Sequence, residues 1–367
     1  MATARTSTLP SLYTEAALSG DGFDGATAEV TQVARWTWPS IAHDGPTPTT
    51  LLRMFNPGTD PVTTALTLFD SSGHQVASAA PVIPASGTYT GRVEDLFGLA
   101  NLNSFAGGYI AGATTSGQLV VSERFGNALD FNILKGQLQN SQATFYVSHF
   151  VSGGGYSTEL NLINLSPSNT DAIMTLTAFD NIGNQIGTTS LTIPHGGAQL
   201  IKTVDQLFTL GGAFVSGYIR VDLQPFYQGP WADIAPVTGA VRFSTTTGSA
   251  SSALPLFLPA SQSFVYSHTA QNLGYYTGIA FLNTGTTTAN VTMQVFTKDG
   301  TSVGSTSLVI PPNQKIAKLL REWVAASAGQ VGGYVQVQSD QPVISFALFG
   351  TDDGKVLSAI PAQRTDQ

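Results

Sequence analysis

The stretch GGYVQVQSDQPVISFALFGT, residues 332–351, alternates apolar and polar side chains, breaks at SDQP and alternates again. Alternation marks a half-buried strand, and Asp and Pro favour turns, so the stretch reads as two strands joined by a turn. Relatives of it occur twice earlier. Residues 107–127 read GGYIAGATTSGQLVVSERFGN, and SGYIRVD at 216–222 is followed after a gap by VTGAVRFST at 237–245. A ribbon written three times points to a repeat, which has to be settled before any motif is weighed.

The repeat falls into register on Asn56, Asn164 and Asn283, in MFNPGT, LINLSP and FLNTGT. Six residues before each stands a threonine, Thr50, Thr158 or Thr277, opening a strand-like run. A second run follows and ends in a glycine turn at Gly73, Gly183 or Gly300; each glycine lies eleven residues before a proline, Pro84, Pro194 or Pro311. After each proline comes a short segment with helical spacing, whose bulky members are Val93, Leu96 and Phe97, then Val204, Leu207 and Phe208, then Leu320, Trp323 and Val324. The ribbon then opens on Tyr109, Tyr218 or Tyr334.

The expected fold is therefore all-β: three tandem Ig-like β-sandwich domains, each with a short helical turn, at 30–140, 141–260 and 261–367. Each has the length and turn spacing of such a sandwich. The links LKGQLQNSQATFYVSHF and LFLPASQSFVYSH are short and partly apolar, and should hold neighbouring modules in fixed orientation. Residues 1–29 match no repeat. Their STLPSLYTEAAL suits an extra strand, pairing either with the first module or with the open edge of a neighbouring molecule as a donor strand.

The pattern SH, G, YST, LIN, TLTAFD and GN, spread over 148–184, resembles the β-sandwich modules found in tandem in secreted and surface proteins of environmental bacteria. The likeness covers most of the chain after residue 30 and is weakest in the first repeat, which has TWPSIAHDGPTPTT where the others have SHFVSGGGYST and SHTAQNLGYYT. The resemblance implies an extracellular structural or adhesive role and carries over no catalytic residue.

Composition agrees with a rigid, weakly charged β protein. Of the 367 residues 42% are hydrophobic but only 10% are charged, with a net charge of −8. No basic run exists to bind phosphate, so nucleic acid is not an expected partner. The chain has no cysteine, which removes disulfides, thiol catalysis and thiolate metal sites. No segment has the length and apolarity of a membrane span, and the first twenty residues lack the apolar run of a leader. An exported protein, at the cell surface or free of it, is the expected setting.

The candidate sites each have a plain structural reading. Asp70 and Asp180 beside their turns offer oxygens for calcium, but the ion wants six or more. A tight hairpin accounts for FDSSG, FDNIG and the TKDG of the third copy. His149 and His268 share one repeat position, where the first copy has Ile41; without a nucleophile or further ligands they read as strand-end histidines bonded to backbone. The aligned asparagines read as turn caps. No two of the few glutamates fall together in the repeat, so neither paired-acid hydrolysis nor any other enzyme is expected, and no cofactor or metal.

One feature breaks the threefold pattern. In the second copy LQPFYQGPWADIAPVT lengthens the ribbon and sets Phe226, Tyr227 and Trp231 among prolines in an expected hairpin loop. Those aromatics are the candidate contacts for a polysaccharide or a protein partner, or else they cover their own sandwich edge. The leading expectation is a self-associating structural protein, as stalk, matrix or filament subunit; the alternative is a non-catalytic carbohydrate-binding adhesin.

Overall fold

The computed structural model describes residues 16–19, 22–25, 32–41, 49–100, 105, 107–126, 131–140, 142–166, 170–225, 234–248, 250–272 and 274–365. It is an all-β protein of tandem sandwiches built from antiparallel sheets. Two short N-terminal strands, β1 (Ala16–Ser19) and β2 (Gly22–Gly25), pair with each other.

The first sandwich contains β3 (Arg35–Trp38), β4 (Thr49–Phe55), β5 (Val62–Phe69), β6 (Gln75–Ala79), β7 (Val82–Ile83) and β8 (Thr88–Arg92). Helix α1 (Val93–Phe97) follows, then β9 (Tyr109–Thr114), β10 (Val120–Gly126) and β11 (Phe131–Lys135). The second contains β12 (Thr144–Ser152), β13 (Tyr156–Asn164), β14 (Ala172–Asp180), β15 (Gln185–Ile193) and β16 (Gln199–Thr203). It is completed by α2 (Val204–Leu207), β17 (Val215–Leu223), β18 (Val237–Thr245) and β19 (Ser251–Pro255). The third contains β20 (Ser261–Tyr266), β21 (Tyr275–Asn283), β22 (Ala289–Phe296), β23 (Ser302–Ile310) and β24 (Gln314–Leu319). It ends with α3 (Leu320–Trp323), β25 (Tyr334–Thr351), β26 (Leu357–Pro361) and β27 (Gln363–Arg364).

Strand order is the same three times. In the second sandwich one sheet runs β12-β17-β14-β15 and the other β16-β13-β18-β19. The first repeats this as β3-β9-β5-β6 and β8-β4-β10-β11. The third repeats it as β20-β25-β22-β23 and β24-β21-β25-β26, with β25 serving in both sheets. Counted within a module, one sheet is 1-6-3-4 and the other 5-2-7-8. The 2–5 and 3–6 pairs are those of an immunoglobulin sandwich, while strands 1, 4 and 7 lie in the opposite sheets from their immunoglobulin counterparts.

The thrice-repeated ribbon is not the hairpin its sequence predicts. Its two halves lie in opposite sheets: β9 pairs with β3 and β5 while β10 pairs with β4 and β11, and β17 and β18 are likewise separated. In the third copy no turn intervenes at all. β25 is one 18-residue strand whose first half pairs with β20 and β22 and whose second half pairs with β21 and β26. Residues 340–342 make no rung in either sheet, so Pro342 forfeits no ladder bond. A strand that changes sheet keeps its alternation, and sequence alone cannot distinguish it from a hairpin.

The cores lie between the paired sheets. Trp38, Leu52, Met54, Leu66, Leu68 and Ile110 fill the first; Phe150, Leu176, Ile219 and Phe243 belong to the second; Phe264, Phe281, Val295 and Val337 belong to the third. The helical turns close one end as expected, with Val93, Val204 and Leu320 fully buried. Strands of the 1-6-3-4 sheets alternate, as in β22, because one face meets water. Strands 7 and 8 do not: β19 is buried throughout, and β11 nearly so. Their second face packs against another module, and the core of the second sandwich continues into Ala280, Ile344, Phe346 and Leu357 of the third.

The modules are therefore packed directly on one another rather than strung in series through their links. β19 runs alongside both β11 and β26, and β2 lies against β11 and β26, so that four strands surround a common axis. The described N-terminal hairpin thus pairs with itself and rests within its own chain.

Candidate functional site

The arrangement most distinctive of this molecule is the junction between modules, and it is built twice from equivalent residues. It starts at the turn after strand 3. A β-bulge interrupts the strand 3–strand 4 pairing just before each turn, at Leu68/Phe69, Ala178/Phe179 and Val295/Phe296. A bulge re-aims a side chain. Here each Phe stacks on a Tyr of strand 6: Phe69 on Tyr109 at 4.9 Å, Phe179 on Tyr218 at 5.1 Å, and Phe296 on Tyr334 at 4.8 Å between ring centroids.

The first two stacks are capped by the next module. A Cβ placed on Gly197 would lie 2.4 Å from the Tyr109 hydroxyl, and Tyr218 donates its hydroxyl to the Asn313 carbonyl at 2.7 Å. Burial is the main cause that pushes the Tyr218 pKa up to about 12. Backbone completes the contact: Gln199 N–H donates to the Ser71 carbonyl and Lys315 N–H to the Asn181 carbonyl, each at 2.9 Å. Gln199 Nε2 reaches the Gly108 carbonyl at 3.3 Å, and Lys315 Nζ reaches Gly217, the same position, at 2.8 Å. Gln199 also donates to the Pro39 carbonyl at 3.0 Å, and Asn161 to the same carbonyl at 2.7 Å. A void of about 20 Å³ remains there, room for one water.

His149 differs from its expected role. Its ring lies between Phe243 of its own module and Phe346 of the next, and its Nδ1 contacts Lys315 Nζ rather than backbone. Burial, then the lysine charge, drives the His149 pKa well below its usual value; burial drives Lys315 well below its own. His268 lies against the equivalent ring, Phe349, but is solvent-exposed. The sequence offered no signal for the Lys315 contact, because its partners lie 98 and 166 residues away.

The remaining candidates are consumed by the fold. Asp70 Oδ1 accepts the N–H groups of Ser72 and His74, Asp180 Oδ1 those of Ile182 and Asn184, and Thr297 Oγ1 that of Thr301. These are hairpin bonds. Among the described residues no cluster of acids and imidazoles could hold a metal. The asparagines do more than cap a turn. Asn164 Nδ2 donates to the carbonyls of Thr170, Ile193 and Pro194 while its Oδ1 accepts Ser166 N–H, stapling one interstrand turn to the crossing between strands 4 and 5. Asn56 and Asn283 do the same.

Phe226, Tyr227 and Trp231 lie outside the described residues. Leu223 and Val237, the strand residues on either side of that segment, belong to different sheets. A cleft of about 690 Å³ lies where both links meet the chain's last strands, between Gln137, Phe145, Phe257 and Arg364. Among the described residues its lining holds Lys135, Tyr146 and Arg364 but no carboxylate or imidazole. One acid is fully buried elsewhere: Glu123 on β10, at the register position of Val241 and Ala347. Burial holds its pKa well above 4.5, with the nearby Ser40 backbone lowering it only in part.

No family model matches the chain. No curated protein matches it either. Among solved structures, a tetra-tandem repeat from the extending region of a large adhesion protein is similar at 15% identity and a TM-score of 0.14, over 82% of this chain and 66% of that one. A likeness at that TM-score carries no structural argument. No described helix is long and apolar enough to cross a membrane.

Proposed function

We propose that the protein is a structural or adhesive building block of a bacterial exterior, its modules at 30–140, 141–260 and 261–367 forming one rigid wall whose partners are other copies or other surface proteins. The observation that supports this reading is the repeated junction. Side chains that would otherwise be available for chemistry, Lys315 and His149 among them, are spent on holding module against module. The resemblance to tandem modules of secreted and surface proteins points the same way, as does a surface poor in charge, which weakens the repulsion that keeps β proteins apart.

Antibody labelling of intact cells that make the protein tests the assignment. Label on the exterior of unbroken cells is expected. Label that appears only after lysis would overturn it.

A further inference from the structure

Three copies of the docking face exist in the chain, and two are covered. Tyr109 and Tyr218 are 2% and 1% exposed, whereas Tyr334, in the same stack with Phe296, is open to solvent in part. A Cβ on Gly73 would meet the Gly196 carbonyl at 2.1 Å, and one on Gly183 the Asn313 carbonyl at 2.6 Å. At Gly300 the nearest atom is the hydroxyl of Tyr334 itself, at 3.8 Å. Lys298 and Gly300 are exposed where Ser71, Gly73, Asn181 and Gly183 are partly buried, and His268 is exposed where Ile41 is buried.

The complementary surface is also left over, at the other end of the chain. The turn that receives each docking face is 194–199 in the second module and 311–315 in the third; its counterpart in the first is Pro84, Ala85, Ser86, Gly87 and Thr88. This turn is already shaped for the contact: Ser86 has φ 51° and Asn313 has φ 57°, and they are the two non-glycine residues at positive φ among those described. Pro84, Ala85, Ser86 and Thr88 are all exposed. Thr88 stands at the register position of Gln199 and Lys315, whose N–H groups make the two internal contacts.

We propose that the open docking face of the third module, around Lys298, Gly300 and Tyr334, binds the 84–88 turn of the first module in a second copy of this chain. The contact repeats between molecules what occurs twice within one. It is heterologous, so it builds rings or open filaments rather than isologous pairs. Closure within one chain is opposed by β2, which occupies the space between β11 and β26 where the first and third modules would otherwise meet. Thr88 is too short to reproduce the second hydrogen bond that Gln199 and Lys315 send across the junction. The internal junctions also benefit from linkage, an effective concentration on the order of millimolar. Assembly is therefore expected at high protein concentration or on a crowded surface.

Sedimentation velocity over a wide concentration range tests this, using the full chain and two variants, Thr88→Trp and Lys298→Trp. Both positions are exposed. Thermal melts verify folding, with Ala85→Trp replacing Thr88→Trp if needed. Wild type should form a ladder of oligomers. Each variant alone should remain monomeric, because one partner surface is blocked in every molecule. Mixed together they should form a dimer and nothing larger, since one open docking face and one open turn remain. Wild type that stays monomeric at its solubility limit, variants that assemble as wild type does, or a mixture that gives no dimer would each overturn the proposal. Monomers throughout would leave the surface assignment standing, since cell labelling tests that separately.

Discussion

Lys315 reaches out of the third module to lie beside His149 of the second, and its Nζ donates to the Gly217 carbonyl behind it at 2.8 Å. Both are bases whose folded pKa is depressed, Lys315 by burial and His149 by burial and the lysine. The unfolded chain then binds more protons, so stability rises with pH. For His149 that stability is present above 6.5 and is lost as the pH falls below it; for Lys315 the loss begins below 10.5. Each unit of depression is worth about 1.4 kcal/mol. Urea unfolding at a series of pH values should show a midpoint that drops steadily on acidification from neutrality. Lys315→Gln, which installs the side chain found at Gln199, should flatten that slope; an unchanged slope would remove the pair from the account.

Glu123 should have the opposite signature. Its raised pKa contributes stability that is fully present below 4.5 and is lost as the pH climbs toward the folded value. Glu123→Val supplies the residue found at the matching position 241 and should stabilise the protein at neutral pH by about 1 to 3 kcal/mol, the usual cost of a poorly compensated buried polar group. A thermal melt that falls in this variant would contradict the assignment.

The paired glycines separate backbone strain from module contact. Gly183 and Gly300 have φ 87° and 82°, so Ala is strained at both. Only at Gly183 would the new methyl also strike the neighbouring module. Gly183→Ala should therefore cost about 1 to 3 kcal/mol more than Gly300→Ala, the range for overpacking. Equal losses in calorimetry would mean that the junction yields without penalty.

Asn164→Ala should be among the more damaging single changes. It removes four hydrogen bonds at a buried site, taking the acceptor from Ser166 N–H and a donor from three carbonyls, at a cost of about 1 to 3 kcal/mol. Asn164→Asp, which keeps the acceptor and loses the donors, should recover little. Denaturant midpoints of the two variants decide the matter.

Much of the fold was legible because its markers are local. The three asparagines, the glycine turns and the prolines lie at fixed intervals in the sequence, and each is tied to its turn by bonds between nearby segments. The sheet change between strands 6 and 7 was not legible, since Val335 and Phe346 alternate with their neighbours as hairpin strands would. Nor was the packing of modules around an axis. The runs ALP in β19 and FNIL in β11 read as ordinary strands, and only the second layer against them reveals that both faces are dry. Position 315 illustrates the limit: a lone lysine in a polar turn looks like a solvated charge until its neighbour's imidazole is known.

Because a single backbone runs through both layers of the third module, separating those layers there requires breaking rungs on either side of Pro342, whereas in the first two modules a loop can give way first. The C-terminal module should thus melt as one cooperative unit under tension or heat, with amides near Val335 and Phe346 exchanging hydrogen in step.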